Sequence, residues 1–356
     1  MPSTVKVKSN TPEEYKIKIQ KGLIERLGVE ILRLNEEREN EILLITDEKV
    51  SDLYLQKVVM NFQECPKPEG TKMRICEILI EPGEGSKNFN TVSKILEEMA
   101  VLGLSKKCCV IAIGGGVVCD AAGFAAGCYM GGVKLILVPT TLAAMIDSSV
   151  GGNAFLNLNA GKNLAGMSCN PSLVLCDTDC LKTLHAEEYK SGLAEAFKIS
   201  IMSGYELFRI FERGEVLDNI EKIIENCIKF RASLNGEIRA KCIGYEIGNA
   251  IESLSGYEIK HGTALSEGMK IILKASYKKN WCSEEIFNRI INAMKKNNLF
   301  VNARSFKPEL IARSIINGRK FAGEEFDFTI ISEIGKYEIK KIKANELENI
   351  ISLGMA

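Results

Sequence analysis

The run CCVIAIGGGVVCDAAGFAAGC, residues 108–128, constrains the fold of this chain more than any other stretch. An apolar segment containing Val110, Ile111 and Ile113 ends in three glycines and continues into small, helix-compatible residues. It reads as a buried strand, a tight turn and a helix start. At Gly114, Gly115 and Gly116 no Cβ stands between the backbone amides and a ligand, and amides at a helix N-terminus favour a phosphate. Glycines after a strand are common and this run is not a GxGxxG, so alone it is weak evidence for a nucleotide site. The next strand adds to it: KLILVPTTL ends in Pro139, Thr140 and Thr141, and DSSVGG and GKN follow. Strand ends that carry hydroxyls and glycines side by side make a phosphate-binding crevice.

The flanking sequence extends the same pattern. YKIKIQKGL alternates as a strand and IERLGVEILRL has helical spacing; EILLITDEKV is a parallel strand with Asp47 at its C-terminal end. Asp47 faces a ligand crevice or caps the next helix, and the two are compatible. KMRICEILIEPGEGSKNF gives a strand and a charged turn, and NTVSKILEEMAVLGL an amphipathic helix. Strand and helix alternating over residues 40–180 imply an α/β, doubly wound, Rossmann-like, mostly parallel sheet. From about His185 six apolar segments carry helical spacing, and EFDFTIISEIGKYEIKKI alternates as a hairpin. We therefore expect an α/β domain over residues 1–184 and a mainly α-helical domain over 185–356.

Composition narrows the partners. The 46 basic and 46 acidic residues cancel, which favours neither nucleic acid nor an anionic membrane and leaves a small-molecule site as the default. No basic start leads into an apolar segment and no apolar run nears the ~20 residues of a membrane span, so a cytoplasmic protein is expected. The 12 cysteines are scattered, several within apolar strands, as in a reduced compartment.

GGGVVCDAAGFAAGCYM, VPTTLAAMIDSSVGG, AGKNLAG, DTDCLKTL and SGLAEAFK, in this order and spacing, resemble 3-dehydroquinate synthase and its relatives, the sugar-phosphate cyclases. The resemblance runs from about Asp47 to about Lys320 and is densest up to residue 200. It implies an NAD-dependent carbon-oxygen lyase that oxidises a secondary alcohol, eliminates phosphate, reduces the ketone again and closes a carbocycle by an aldol step. It also implies a homodimer and a divalent metal, zinc. For NAD it implies Asp47, Glu84 and Lys87 of a GExxK turn, Gly115, Gly116, Val117, Asp120, Thr140, Thr141, Lys162, Lys182 and Thr183. For catalysis it implies Asp147, Lys162, Asn163, Glu195, Lys198 and His261, with Glu195 and His261 as metal ligands and Lys320 near a substrate phosphate. Without the resemblance, Glu84 and Lys87 read as a solvated turn, and Glu195 and Lys198, three apart on a helix, as an ion pair. A lone histidine such as His261 is more often structural. His185 stands where the family has proline and reads as structural.

The departures fall together. A family GHTxGHAxE helix, which supplies the third metal ligand and a phosphate-binding histidine, is GYEIGNAIE here, with Tyr245 and Asn249. Catalytic zinc takes three ligands from His, Cys and carboxylates; Tyr245 would serve only as a phenolate, and Glu246 is a substitute turned about 100° away along the helix. The family's GGKT lysine is Asn153, its YMRG arginine is Gly131, an asparagine is Cys242, an arginine falls at Ile238 beside Arg239, and Arg231 replaces a lysine. Phosphate contacts of this kind contribute roughly 1.5–3 kcal/mol each. The nucleotide half is kept while the substrate half has changed. Three functions are compatible: a divergent cyclase with an altered sugar-type substrate and metal site, an NAD-dependent polyol or alcohol dehydrogenase, and a catalytically silent NAD-binding homologue.

Overall fold

The computed structural model describes residues 14–32, 41–65, 73–159, 161–234, 242–300, 306–318 and 325–356. The described residues divide into two compact units. The first comprises those up to Thr140 together with Gly151–Asp177; the second comprises Thr141–Val150 and those from Thr178 onward. The division after Asp177 precedes the boundary expected at 184, and the short segment Thr141–Val150 counts with the helical unit although it lies within the α/β part of the chain.

In the first unit, β1 (Lys16–Ile19), β2 (Glu41–Asp47), β3 (Arg74–Ile80), β4 (Cys109–Gly114), β5 (Lys134–Pro139) and β8 (Leu173–Cys176) form one sheet of order β1-β8-β5-β4-β2-β3. Every pairing in it is parallel. The antiparallel hairpin of β6 (Asn153–Leu158) and β7 (Gly161–Ser168) stands apart from this sheet. All six residues of β4 are buried, as a strand covered on both faces requires, whereas the edge strand β3 alternates buried and exposed positions. Each fully buried Leu or Ile of β2 and β4 contributes about 1.5–3 kcal/mol of transfer free energy.

Two helices matter to this unit, α1 (Phe89–Val101) and α2 (Gly116–Cys128). The small residues of α2 let it lie close against its neighbours: Ala121, Ala122, Ala125 and Ala126 are fully buried, and a Cβ on Gly123 would sit 3.2 Å from that of Ala154 in β6.

The second unit is helical, with α3 (Ala186–Ser203), α4 (Tyr205–Arg213), α5 (Ile220–Ser233), α6 (Tyr245–Leu254), α7 (His261–Lys278), α8 (Glu284–Lys296), α9 (Pro308–Gly318) and α10 (Ala344–Met355). β9 (Glu325–Glu333) and β10 (Lys336–Lys343) form the expected hairpin. Residues 192–202 of α3 are buried without interruption, and Phe197 packs edge-on against Phe211 of α4 with ring centres 5.3 Å apart. Helices α6 and α7 meet backbone to backbone: a Cβ on Gly268 would fall 2.3 Å from the Gly244 carbonyl oxygen, and one on Gly248 3.0 Å from Leu265 Cα. No helix among the described residues is long and apolar enough to cross a membrane.

Candidate active site

The sheet order fixes where a ligand crevice lies in the first unit. From β2 the chain moves outward to β3, and from β4 it moves the opposite way to β5, so the order reverses between β2 and β4. In an open parallel sheet ligands bind outside the carboxyl ends of the strands at such a reversal. Asp47 ends β2 and Gly114 ends β4, and the hydroxyl of Thr46 donates to the Ile113 carbonyl at 2.7 Å, tying the two strand ends together. Asp47 accepts from the Val50 amide at 3.0 Å, so the capping role expected of it is present. Helix α2 starts at Gly116 with no side-chain cap, which leaves its first amides for a ligand. A Cβ on Gly114 would lie 2.6 Å from Val118 Cγ2, so only glycine fits the turn.

Around this turn the expected residues interlock. Lys87 Nζ meets Asp120 Oδ2 at 2.5 Å, both buried, and Asp120 also accepts from the Phe155 amide at 3.2 Å. Burial pushes the Asp120 carboxyl up, against the pull of Lys87. Asn157, which the sequence reading passed over, joins three segments: its side-chain amide donates to Glu84 Oε1 at 2.8 Å, its backbone amide to the Lys87 carbonyl at 2.8 Å, and its Oδ1 accepts from the Asn163 amide at 2.9 Å. Asn163 holds a left-handed φ of 55° next to half-buried Lys162. The GExxK turn and the AGKN turn therefore form one assembly, and the repeated Asn in NLNAGKN was the available signal. Val117 is half-buried in the first turn of α2, and the Thr140 amide donates to the Gly114 carbonyl at 2.9 Å. Asn153, on the hairpin, is exposed and donates to the Gly151 carbonyl at 3.1 Å.

In the second unit Glu195, Lys198 and His261 come together. Both oxygens of the buried Glu195 carboxylate are engaged, Oε2 by Lys198 Nζ and Oε1 by His261 Nε2 at 3.0 Å. His261 Nδ1 lies 3.2 Å from Glu252 Oε2, a residue missed in the sequence because only the α6–α7 packing brings it near. Burial opposes charge on Glu195, but Lys198 and the hydrogen bond from His261 hold its carboxyl down to about 2. Burial likewise opposes charge on His261, and its bonds to Glu195 and Glu252 lift it to about 9. Lys198 is also raised, burial being outweighed by Glu195. Protonated at both nitrogens, the ring donates to both carboxylates.

Gly262 makes this approach possible. A Cβ there would fall 2.2 Å from Ser191 Cα, and the Gly262 amide donates to Ser191 Oγ at 3.1 Å, so α7 begins directly against α3. The other expected residues of this unit are dispersed. Asp147 pairs with Arg231 of α5, whereas exposed Lys182 pairs with Asp179 at 2.7 Å. Thr141 accepts from the Ala144 amide at 3.1 Å, and Thr183 donates to the Cys180 carbonyl at 3.0 Å. His185 caps α3 through Nδ1, which accepts from the Glu187 amide at 3.4 Å, in keeping with its structural reading. Ile238, Arg239 and Lys320 lie outside the described residues.

A resident zinc does not fit this donor set. Glu195 and His261 are two donors, and the third expected position is the phenol of Tyr245. Among the described residues no three His, Cys, Asp or Glu side chains surround a point where an ion would sit.

Comparison with known proteins gives a consistent result. The family profile for the 3-dehydroquinate synthase N-terminal domain matches residues 77–191, and that for its C-terminal domain matches residues 192–321. A 3-dehydroquinate synthase from Prochlorococcus marinus is 31% identical over 343 residues, covering 92% of this chain and 93% of its own. Among solved structures, a 2-deoxy-scyllo-inosose synthase complexed with carbaglucose-6-phosphate, NAD+ and Co2+ superposes with a TM-score of 0.82 at 23% identity, covering 94% of this chain and 95% of its own. A 2-epi-5-epi-valiolone synthase from Streptomyces hygroscopicus with NAD+ and Zn2+ bound gives 0.84 at 20% identity, covering 99% of each chain.

Proposed function

The chain belongs to the 3-dehydroquinate synthase family, and from that premise we propose that it is an NAD-dependent cyclase which converts a sugar-type substrate to a carbocycle with an altered substrate pocket and without a resident zinc. The observation that carries this reading is the contact of Glu195 with His261: 66 positions apart in sequence, they lie 3.0 Å apart in a buried, charged network. Such a network costs desolvation free energy that an idle surface pair does not, and perturbed groups of this kind gather at reaction centres.

The first unit supplies the cofactor site. NAD, when bound, takes a hydride from a secondary alcohol and returns it later in the cycle. The open amides of Gly115, Gly116 and Val117 suit its phosphates, and Asp47 at the end of β2 suits its adenosine half. The Lys87–Asp120 pair and the Glu84–Asn157–Asn163 chain keep the turns around that crevice in register. Thr140 and Lys162 complete the set proposed in this unit, while Thr141, Lys182 and Thr183, also expected at the cofactor, belong to the second unit.

In the second unit the chain's own cations stand in for a Lewis acid. The His261 imidazolium, held from both sides by Glu195 and Glu252, and the Lys198 ammonium offer positive charge to an oxygen that gains electron density. Glu195, ionised and with both oxygens engaged, holds Lys198 and His261 in place. Asp147, fixed by Arg231, orients substrate from the segment that follows β5. Asn153 and Gly131 stand where the family resemblance implies basic residues, so the preferred substrate carries its phosphate differently or contacts it less.

The test is to incubate the purified protein with NAD and a panel of phosphorylated heptoses, heptulosonates and hexoses, following phosphate release and NADH absorbance together. Phosphate release without NADH accumulation is expected. Accumulating NADH would point to a dehydrogenase instead, and NAD binding with neither signal to a silent homologue.

A further inference from the structure

Ten of the twelve cysteines are buried, and the two that are not, exposed Cys128 and half-buried Cys169, both border Gly127, Cys128 as the next residue and Cys169 with its Sγ 3.5 Å from where a Cβ on Gly127 would sit. Cys128 is the last residue of α2 and Cys169 directly follows β7. A third sulfur joins them: Cys128 Sγ stands 3.9 Å from Met167 Sδ. The grouping exists because residue 127 is glycine; a Cβ there would also sit 2.5 Å from Met167 Cε and 3.2 Å from Met167 Sδ. The backbone on both sides is fixed, since Met167 pairs with Ala154 across the hairpin and the Cys169 amide donates to the Gly152 carbonyl at 2.8 Å.

Three sulfurs bound to one ion at about 2.3 Å in a trigonal plane stand about 4 Å from one another, which is the Cys128–Met167 separation observed. Thiolate and thioether together select soft ions such as copper(I) over calcium or magnesium. We propose that Cys128, Met167 and Cys169 form a binding site for a thiophilic monovalent cation, copper(I) or silver(I). Binding forms two metal–thiolate bonds and one metal–thioether bond, releases the two thiol protons to solvent, and changes no oxidation state. Burial, and next the adjacent Cys128, push the Cys169 thiol up to about 11, so without a metal it stays protonated and is a poor nucleophile toward oxidants. The ion would join the far end of α2, whose first turn is the glycine turn, to the far end of β7, whose first residues include Lys162 and Asn163.

The experiment is an anaerobic titration of the reduced, full-length protein with copper(I) in competition with a chromophoric chelator, repeated with silver(I). One tightly held equivalent is expected, with near-ultraviolet thiolate-to-copper absorption. Cys128→Ser and Cys169→Ser should each weaken binding at least tenfold, Met167→Leu a few-fold, and Met130→Leu, at a nearby exposed methionine, not at all. Maleimide labelling of the unaltered protein provides a readout independent of whether a variant folds: Cys128 should be labelled in the metal-free form and protected by one equivalent of silver(I). Loss of copper(I) to the chelator by the reduced wild type, unchanged binding in both serine variants, or undiminished Cys128 labelling in silver(I) would each overturn the proposal.

Discussion

His261 Nε2 and Glu195 Oε1 lie 3.0 Å apart, on the first residue of one helix and in the buried middle of another. A neutral imidazole that turned a lone pair toward a carboxylate at this distance would be repelled, so a proton stands between them. The ring is about a third exposed, and through it the network reaches solvent.

This arrangement predicts a pH dependence of stability. His261 is charged in the folded chain up to about pH 9 but in an unfolded chain only up to about 6.5, so its contribution is complete below pH 6.5 and is lost as pH rises through 9. Glu195 acts in the opposite sense, contributing above about pH 4.5 and losing its share as pH falls toward 2. Urea unfolding at about pH 6 and about pH 9 should differ by roughly 1–2 kcal/mol after allowance for solvent screening of the partly exposed ring. His261→Gln should remove most of that difference; an equal difference in the variant would exclude His261 as its source.

Lys198→Met should cost about 3–5 kcal/mol, because it leaves a buried carboxylate without its ammonium partner. Unfolding midpoints in urea measure it. The double change Lys198→Met with Glu195→Gln should recover part of the loss, whereas a simple packing role for Lys198 predicts no recovery.

Gly262→Ala should push the start of α7 off Ser191, at about 1–3 kcal/mol for overpacking. Phosphate release should drop at least tenfold while NAD affinity stays within twofold, since the proposed cofactor contacts near Gly115 are not involved. Steady-state rates together with NAD titration separate the two effects.

The first unit's architecture was legible because its evidence is local. A continuous apolar run such as residues 108–113 has to be a covered strand, and glycines at its end have to be a turn. The β6–β7 hairpin was hidden, since NAFLNLNAGKNLAGMS carries asparagines and glycines where alternating apolar residues would announce strands. Glu195, Lys198 and His261 were singled out through motif resemblance, and their side chains are in contact. Glu252 was not, because its partner His261 lies nine residues away across a turn between helices. Asn157 escaped for the same reason: its role depends on two loops far apart in sequence meeting.

Asn157→Ala should weaken NAD binding about tenfold, because it removes side-chain bonds to Glu84 and to the Asn163 amide whose loss costs about 1–2 kcal/mol. Fluorescence or calorimetric titration measures the change. An unaltered affinity would separate the AGKN turn from the cofactor.

The most direct test of the whole account is to measure phosphate release, NADH and bound metal on one preparation turning over its best substrate, before and after exhaustive chelation. A working zinc-free cyclase predicts steady phosphate release, no accumulated NADH, and a rate that neither chelator nor added zinc changes. Stoichiometric zinc whose removal abolishes phosphate release would contradict the assignment of the electrophile to His261 and Lys198.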